Sequence, residues 1–196
     1  MHADRSDRDR PLRTGAAVLA AGAGSRFAGT THKLLADFRG RPLVTWAVSS
    51  ALAASIGAVA VVTGAVDLAG VLPREVELVA NPSWADGQAT SLGAAIGWAR
   101  DAGLHALVVG LGDQPMVPAA AWAAVAAART PLAVATFGGR RRPPVRLARA
   151  VWPLVPTEGD RGARALMARM PDLVGEVPCP GNPADIDQAE DLARYR

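Results

Sequence analysis

Lysine is almost missing from this chain of 196 residues: of its 21 lysine and arginine side chains, only Lys33 is a lysine. Arginine therefore serves the solvated surface, and a lone lysine suggests a position where a compact ammonium matters. Chance retention is the plainer alternative. Cysteine is as scarce, and Cys179 by itself excludes an intramolecular disulfide framework and suits a reducing compartment. With a proline on either side and no acid or base beside it, Cys179 reads as an ordinary small residue. The three histidines, His2, His32 and His105, form no sequence cluster, and His32 reads by default as a loop-surface residue.

Aromatic residues make up only 5% of the chain, and none interleaves with its one basic cluster, Arg140–Arg142. A nucleic-acid-binding face needs a wider basic stripe, so no nucleic-acid partner is expected. A small anionic substrate accounts for the cluster, as does a solvated turn. Long apolar runs are also lacking. The stretch from Trp46 to Val66 is broken by Ser49, Ser50, Ser55, Gly57 and Thr63, and reads as a helix and a buried strand rather than a membrane span. Residues 1–13 carry charges of both signs and no apolar core, which predicts a disordered leader rather than a secretory signal. A cytoplasmic protein with no membrane partner is expected.

What is present alternates. Strand-like apolar runs occur at Ala16–Ala20, Ala58–Val62, Val76–Val79, Leu107–Leu111 and Leu132–Thr136. Alanine-rich helical stretches fall between them at Leu43–Ala54, Ser91–Asp101 and Ala119–Ala128. This order predicts an α/β fold, a mostly parallel sheet with helices on both faces. The second half is less regular: a Gly138-Gly139 turn into an extended segment, a loop opening a helix near Gly162, then a strand, a loop and a final amphipathic helix. Asp187, with Glu190 three residues on, has the pattern of a capping box for that helix.

Ligands in such sheets bind beyond the carboxyl ends of the strands. The first strand is followed by "LAAGAGSRFAGTTHKLL", residues 19–35. A dinucleotide fingerprint needs glycine where Phe27 stands, and a Walker loop needs lysine where Thr30 stands. Small residues still let backbone N–H groups approach an anion, and Arg26 and Lys33 add positive charge. A tight turn with two exposed cations is the alternative. Asp113 follows the strand at Leu107–Leu111, where a hard carboxylate suits Mg²⁺, or where Asp begins a turn. Asp185 and Asp187 sit at i and i+2, so an extended segment points both the same way.

The loop with its lysine resembles the opening motif of nucleotidyltransferases acting on molybdenum cofactor, sugar phosphates and isoprenoid precursors. "NPSWADGQATSL" (81–92), "GLGDQP" (110–115), "EGDRGAR" (158–164) and "DIDQAEDL" (185–192) are most similar to the molybdenum cofactor cytidylyltransferase branch of the MobA-like NTP transferases. The resemblance covers roughly residues 15 to 194. It implies a Rossmann-like fold of the nucleotide-diphospho-sugar transferase type. It implies one NTP-transferase domain over 14–196: a nucleotide-binding part at 14–137, an acceptor-binding part at 138–184, and a C-terminal helix at 185–196 packing back.

The implied reaction is Mg²⁺-dependent transfer of CMP from CTP to the phosphate of molybdopterin, with pyrophosphate released. A client molybdoenzyme is a further partner that the resemblance admits. Carried over by position, Leu19, Ala20, Ala21, Gly22, Gly24, Ser25 and Arg26 cradle the nucleotide, with Gln88 and Ser91 also contacting it. Lys33 and Arg26 act on the phosphates, and Asp113 and Asp187, with Asp185, hold the metal. The match departs at two points. Six residues separate Arg26 from Lys33, two more than is common in the family, and Arg142-Pro143-Pro144 replaces a Gly-His-Pro-like signature. Guanylyl or sugar-phosphate transfer, a nicotine blue oxidoreductase-like activity using NAD(P)H, and a non-catalytic nucleotide-binding role stand as alternatives.

Overall fold

The computed structural model describes residues 13–28, 31–156, 158–159 and 162–195. The leader expected over residues 1–13 lies outside this set apart from Arg13. That residue is already tied to the fold, its carbonyl accepting from the His105 N–H at 2.8 Å.

In chain order the strands are β1 (Thr14–Ala20), β2 (Asp37–Phe38), β3 (Arg41–Pro42), β4 (Val59–Thr63), β5 (Glu77–Ala80), β6 (Ala106–Leu111), β7 (Leu132–Phe137), β8 (Arg140–Ala148) and β9 (Val174–Pro178). The helices are α1 (Leu43–Ala53), α2 (Gln88–Asp101), α3 (Ala119–Ala126), α4 (Gly162–Arg169) and α5 (Ala189–Arg194). β2 and β3 pair as a small hairpin, and the other strands form one sheet in the order β5-β4-β1-β6-β8-β7-β9. Every pairing in that sheet is parallel except those of β8, which runs antiparallel to β6 and β7. The mostly parallel α/β sheet expected from the alternation is thus present.

The strand period of two divides the core. Ala16, Val18 and Ala20 of β1 face α1 and α3, whereas Ala17 faces the layer that contains α2 and α4. Both faces are covered, so the parallel strands read as continuous apolar runs. Burying each Val or Leu is worth about 1.5–3 kcal/mol, and the alanines let the helices close on the sheet. At Gly110 of β6 a Cβ would strike the Trp122 ring of α3, which lies 1% exposed on the sheet. Glycine at that point is a packing requirement.

β8 departs from simple alternation. Gly138 and Gly139, at φ 56° and 76°, turn the chain back after β7, as a tight hairpin requires. β8 then inserts between β6 and β7. Its register moves from Val134 opposite Val145 to Ala135 opposite Arg142, leaving Pro143 and Pro144 outside the ladder. Neither proline has an N–H to donate, so a bulge there breaks no bond.

The capping pattern expected at Asp187 and Glu190 is corrected. Helix α5 starts at Ala189, and its capping box joins Gln188 to Asp191. Asp191 Oδ2 accepts from the backbone N–H of both Asp187 and Gln188, at 3.0 Å each. The physical reason is competition: the Asp187 carboxylate is drawn to cations across the chain. Among the described residues no helix is long and apolar enough to cross a membrane.

Candidate functional site

β1 and β6 lie side by side, yet from β1 the chain moves outward to β4, and after β6 it moves the other way. Their carboxyl ends flank the crevice where an open sheet of this kind takes its ligand. The chain leaving β1 turns at once, with the Phe27 N–H donating to the Gly24 carbonyl at 2.9 Å. Gly24 has φ +63°, and a Cβ on it would come within 3.0 Å of the Lys33 Cβ. A non-glycine residue would be strained there and would push the loop off the lysine. Lys33 opens a short 3₁₀ helix, Lys33–Leu35, anchored by buried Leu34.

Lys33 Nζ donates to Asp113 Oδ2 at 2.8 Å and to Asp187 Oδ1 at 3.0 Å. Only 11% of the lysine side chain is exposed. Burial lowers its pKa, but the charge of Asp113 and the hydrogen bonds of both carboxylates outweigh that, so it stands above its ordinary value of 10.5. Arg26 Nη1 reaches the other oxygen of Asp187 at 3.3 Å from a far more exposed position.

Asp187 arrives from the far end of the chain because its segment is stitched beside β6. Gln114, 2% exposed, donates through Nε2 to the Pro183 carbonyl at 3.1 Å and to Asp185 Oδ1 at 2.8 Å. The Ile186 N–H donates to the Asp113 carbonyl at 2.9 Å. Ile186 is fully buried with Phe38 and Leu43. Partial burial and the charge of Asp113 raise the pKa of Asp185, against the hydrogen bond from Gln114.

Two hollows adjoin this cluster. The smaller, about 70 Å³, is lined by Leu19, Ala20, Gly22, Gly24, Lys33, Leu34 and Asp113. The larger, about 520 Å³, lies between β6, β8 and α4, with an apolar floor that includes Leu92, Val109 and Val145. Arg141, Arg142, Arg164, Gln88, Gln114 and Asp185 supply its polar lining. Ser25 and Arg26 stand exposed beside the loop, whereas Ala21 is buried behind it with its carbonyl accepting from the Ala65 N–H at 2.9 Å. Ser91 is not on either lining. It is buried within α2, and its Oγ accepts from Asn81 Nδ2 at 3.0 Å.

Among the described residues Asp113 Oδ1 finds no hydrogen-bond partner, a buried hard oxygen beside the smaller hollow. A divalent cation would satisfy it, with Asp187, which shares the same lysine, as a second carboxylate. Among the described residues no three His, Cys, Asp or Glu side chains form a ready metal cluster. The donor set fits Mg²⁺ completed by phosphate oxygens and water.

Sequence reasoning passed over the anchoring by Gln114 and the contacts of His32. Nothing local marks a glutamine after a strand as buried. His32 shows its role only through backbone partners, Nδ1 accepting from the Leu34 N–H at 3.2 Å and Nε2 lying 3.1 Å from the Gly22 oxygen.

The MobA-like NTP transferase domain model matches residues 16–174. Among solved structures, the chain is similar to a nucleotidyl transferase from Methanothermobacter, with TM-score 0.79 and 23% identity over 95% of this chain and 97% of that one. It is similar also to a homologue of Rv0371c from Mycobacterium sp. strain JC1, with TM-score 0.81 and 25% identity over 93% and 94%. The manganese complex of Rv0371c from Mycobacterium tuberculosis aligns with TM-score 0.69 and 23% identity over 93% and 97%. A relative named nicotine blue oxidoreductase, from Paenarthrobacter nicotinovorans, is 30% identical over 96% of this chain and 98% of its own. The fold is of the nucleotide-diphospho-sugar transferase type, and with its family model spanning both the glycine-rich loop and Asp113, the chain belongs to the MobA-like NTP transferases.

Proposed function

We propose that this NTP transferase moves CMP from CTP onto the phosphate of molybdopterin, in the cytoplasm, releasing pyrophosphate. The observation that carries a nucleotidyl-transfer site is the bridge from Lys33 to Asp113 and Asp187, with Asp113 Oδ1 left unpartnered. Lysine and two carboxylates are what phosphoryl chemistry asks of a protein: positioning and charge neutralisation rather than an activated nucleophile.

In this reading residues 14–137 bind the nucleotide, 138–184 the acceptor, and 185–196 return Asp187 to the site. The backbone amides between Gly22 and Arg26 hold the triphosphate, with Arg26 adding charge from its exposed position. Lys33 turns its ammonium to the α-phosphate and offsets the charge that builds there as an acceptor phosphate oxygen attacks. The new P–O bond forms as the bond between the α- and β-phosphates breaks, and pyrophosphate carries off the electrons. Asp113 and Asp187 would hold Mg²⁺, with Asp185 alongside on the acceptor side. When bound, that ion supplies Lewis-acid neutralisation of the phosphates. Gln88, on the lining of the larger hollow, contacts the nucleotide from that side, and Ser91 acts through the helix that carries it. A divalent ion accords with the manganese complex of the mycobacterial neighbour.

The larger hollow supports an acceptor with a flat apolar body and an anionic end, through its apolar floor and through Arg142 and Arg164, while Arg141 is already paired with Glu176 at 2.7 Å. Molybdopterin has that character. The relative named nicotine blue oxidoreductase keeps a second reading in view, NAD(P)H-dependent reduction of a planar heterocycle. One experiment separates them: thermal shift with CTP, GTP, ATP, UTP and NADPH, each with Mg²⁺. A ligand at a hundredfold excess over Kd stabilises by about 2.7 kcal/mol. Selective response to CTP, followed by pyrophosphate release with molybdopterin, is the expected result. Response to NADPH alone would replace the transferase reading with the second one.

A further inference from the structure

We infer that His32 is a positioning residue, a neutral imidazole protonated on Nε2 that holds the glycine-rich loop and Lys33 in one frame. The inference rests on the proposed role of Lys33 and of the loop in gripping the nucleotide. Its tautomer follows from the partners. The Gly22 carbonyl, 3.1 Å from Nε2, can only accept, so Nε2 must carry a proton. The Leu34 N–H, 3.2 Å from Nδ1, can only donate, so Nδ1 must offer a lone pair. Of the three states of an imidazole, only the neutral Nε2–H form makes both bonds.

The ring thus joins two segments that the chain separates. One bond caps the 3₁₀ helix that begins with Lys33, and the other reaches back ten positions to the loop. Gly24 completes the junction, since a Cβ there would lie 3.0 Å from the Lys33 Cβ and 3.6 Å from His32 Nε2. A trans peptide sets C=O and N–H in opposite directions, so fixing the Gly22 oxygen also fixes where the Ala23 N–H points. If that peptide flipped, a carbonyl would replace one of the amides the loop offers to an anion, and attraction would become repulsion. His32 touches neither substrate in this account. It acts through Gly22 and Lys33.

Two substitutions separate its two bonds. In His32→Asn the short amide still accepts from Leu34 N–H, as Asn does in caps and turns, but falls short of Gly22. In His32→Gln the longer amide still donates to Gly22. The expected result is that His32→Asn keeps the wild-type melting temperature while Kd and KM for CTP rise about three- to tenfold, the scale of one neutral hydrogen bond. His32→Gln is expected to recover most of that nucleotide affinity. Wild-type Kd and KM in His32→Asn would overturn the proposal, because the loop bond would then be idle.

The ring's ¹⁵N shifts in the nucleotide-free protein give an independent reading. A protonated Nε2 and a bare Nδ1 support the assignment, and the opposite tautomer or the imidazolium overturns it. If the wild-type protein binds no nucleoside triphosphate, the proposed function fails instead. That failure is recognisable because the tautomer is read without nucleotide.

Discussion

Lys33 and Asp113 stand 80 positions apart in the chain and 2.8 Å apart in space. The same ammonium meets Asp187 at 3.0 Å, and Arg26 adds a second, more exposed cation on Asp187 at 3.3 Å. Asp113 Oδ1 finds no partner among the described residues. That oxygen invites a divalent cation, and the two carboxylates give Lys33 a reason to remain charged until phosphate offers it another partner.

Removing the carboxylate proposed to face the metal tests the core of the proposed site. Asp113→Ala should lower metal-dependent pyrophosphate release at least ~100-fold, the scale of losing one electrostatic contact to the transition state, with folded circular dichroism. Lys33→Arg should cost ~10-fold or more despite its charge, because a planar fork does not fill the place of a compact ammonium. Full activity in either variant would remove that residue from the chemistry.

The bridge also makes a binding prediction. While Lys33 holds both carboxylates, a free ion competes with an internal cation. Lys33→Met should therefore bind Mn²⁺ without nucleotide ~10-fold more tightly than the wild type, read by electron paramagnetic resonance of the free ion. Equal affinities would show that the ammonium does not screen the carboxylates.

The same pairing makes Lys33 a fixed charge. Its raised pKa means that its contribution to stability is complete below the ordinary 10.5 and is lost only as pH rises through the higher folded value. Turnover should show no basic limb from Lys33 up to about pH 9.5. A limb in that range that disappears in Lys33→Arg would contradict the arrangement.

Gln114 Nε2 donates twice into the segment carrying Asp187, to the Pro183 carbonyl and to Asp185. Gln114→Met leaves the Pro183 carbonyl and Asp185 without that partner, at a cost of about 1–3 kcal/mol. For a chain of this size each kcal/mol is roughly 2–4 °C in Tm. The variant should melt lower and show a raised KM for metal–nucleotide. An unchanged Tm would mean that Ile186 and the α5 cap hold the segment unaided.

Arg142 lines the larger hollow and not the smaller one beside the glycine-rich loop. Arg142→Ala should raise KM for the phosphorylated acceptor about tenfold while leaving the Kd for CTP unchanged, as measured by calorimetry. Parallel loss of both would move this arginine into the nucleotide site.

Much of the scaffold was legible from residue order alone. The apolar runs at Ala16–Ala20, Leu107–Leu111 and Leu132–Thr136 became strands with ends shifted by two positions at most. A buried parallel strand must be apolar on both faces, and an alanine-rich segment between two such strands has little choice but to cross over as a helix. The α5 cap was misplaced by one residue because Asp is by propensity the stronger N-cap, whereas distant cations engage the Asp187 carboxylate and leave the cap to Gln188. Ser91 shows what position in a motif leaves out: it is buried in α2, and its Oγ accepts from Asn81, a contact with no local signal.

The sequence by itself determined the alternating α/β order, the glycine-rich turn after β1, and the scarcity that made Lys33 conspicuous. Each depends on neighbours a few positions away, where backbone preference and side-chain period act. Only the tertiary structure decided that Lys33 spans Asp113 and Asp187, that β8 enters the sheet antiparallel, and that Gln114 and His32 bond to segments away from their own. Those outcomes depend on which buried donors and charges find partners across the chain. Such pairing carries no local period, so it becomes visible only once the sheet has brought its strand ends together.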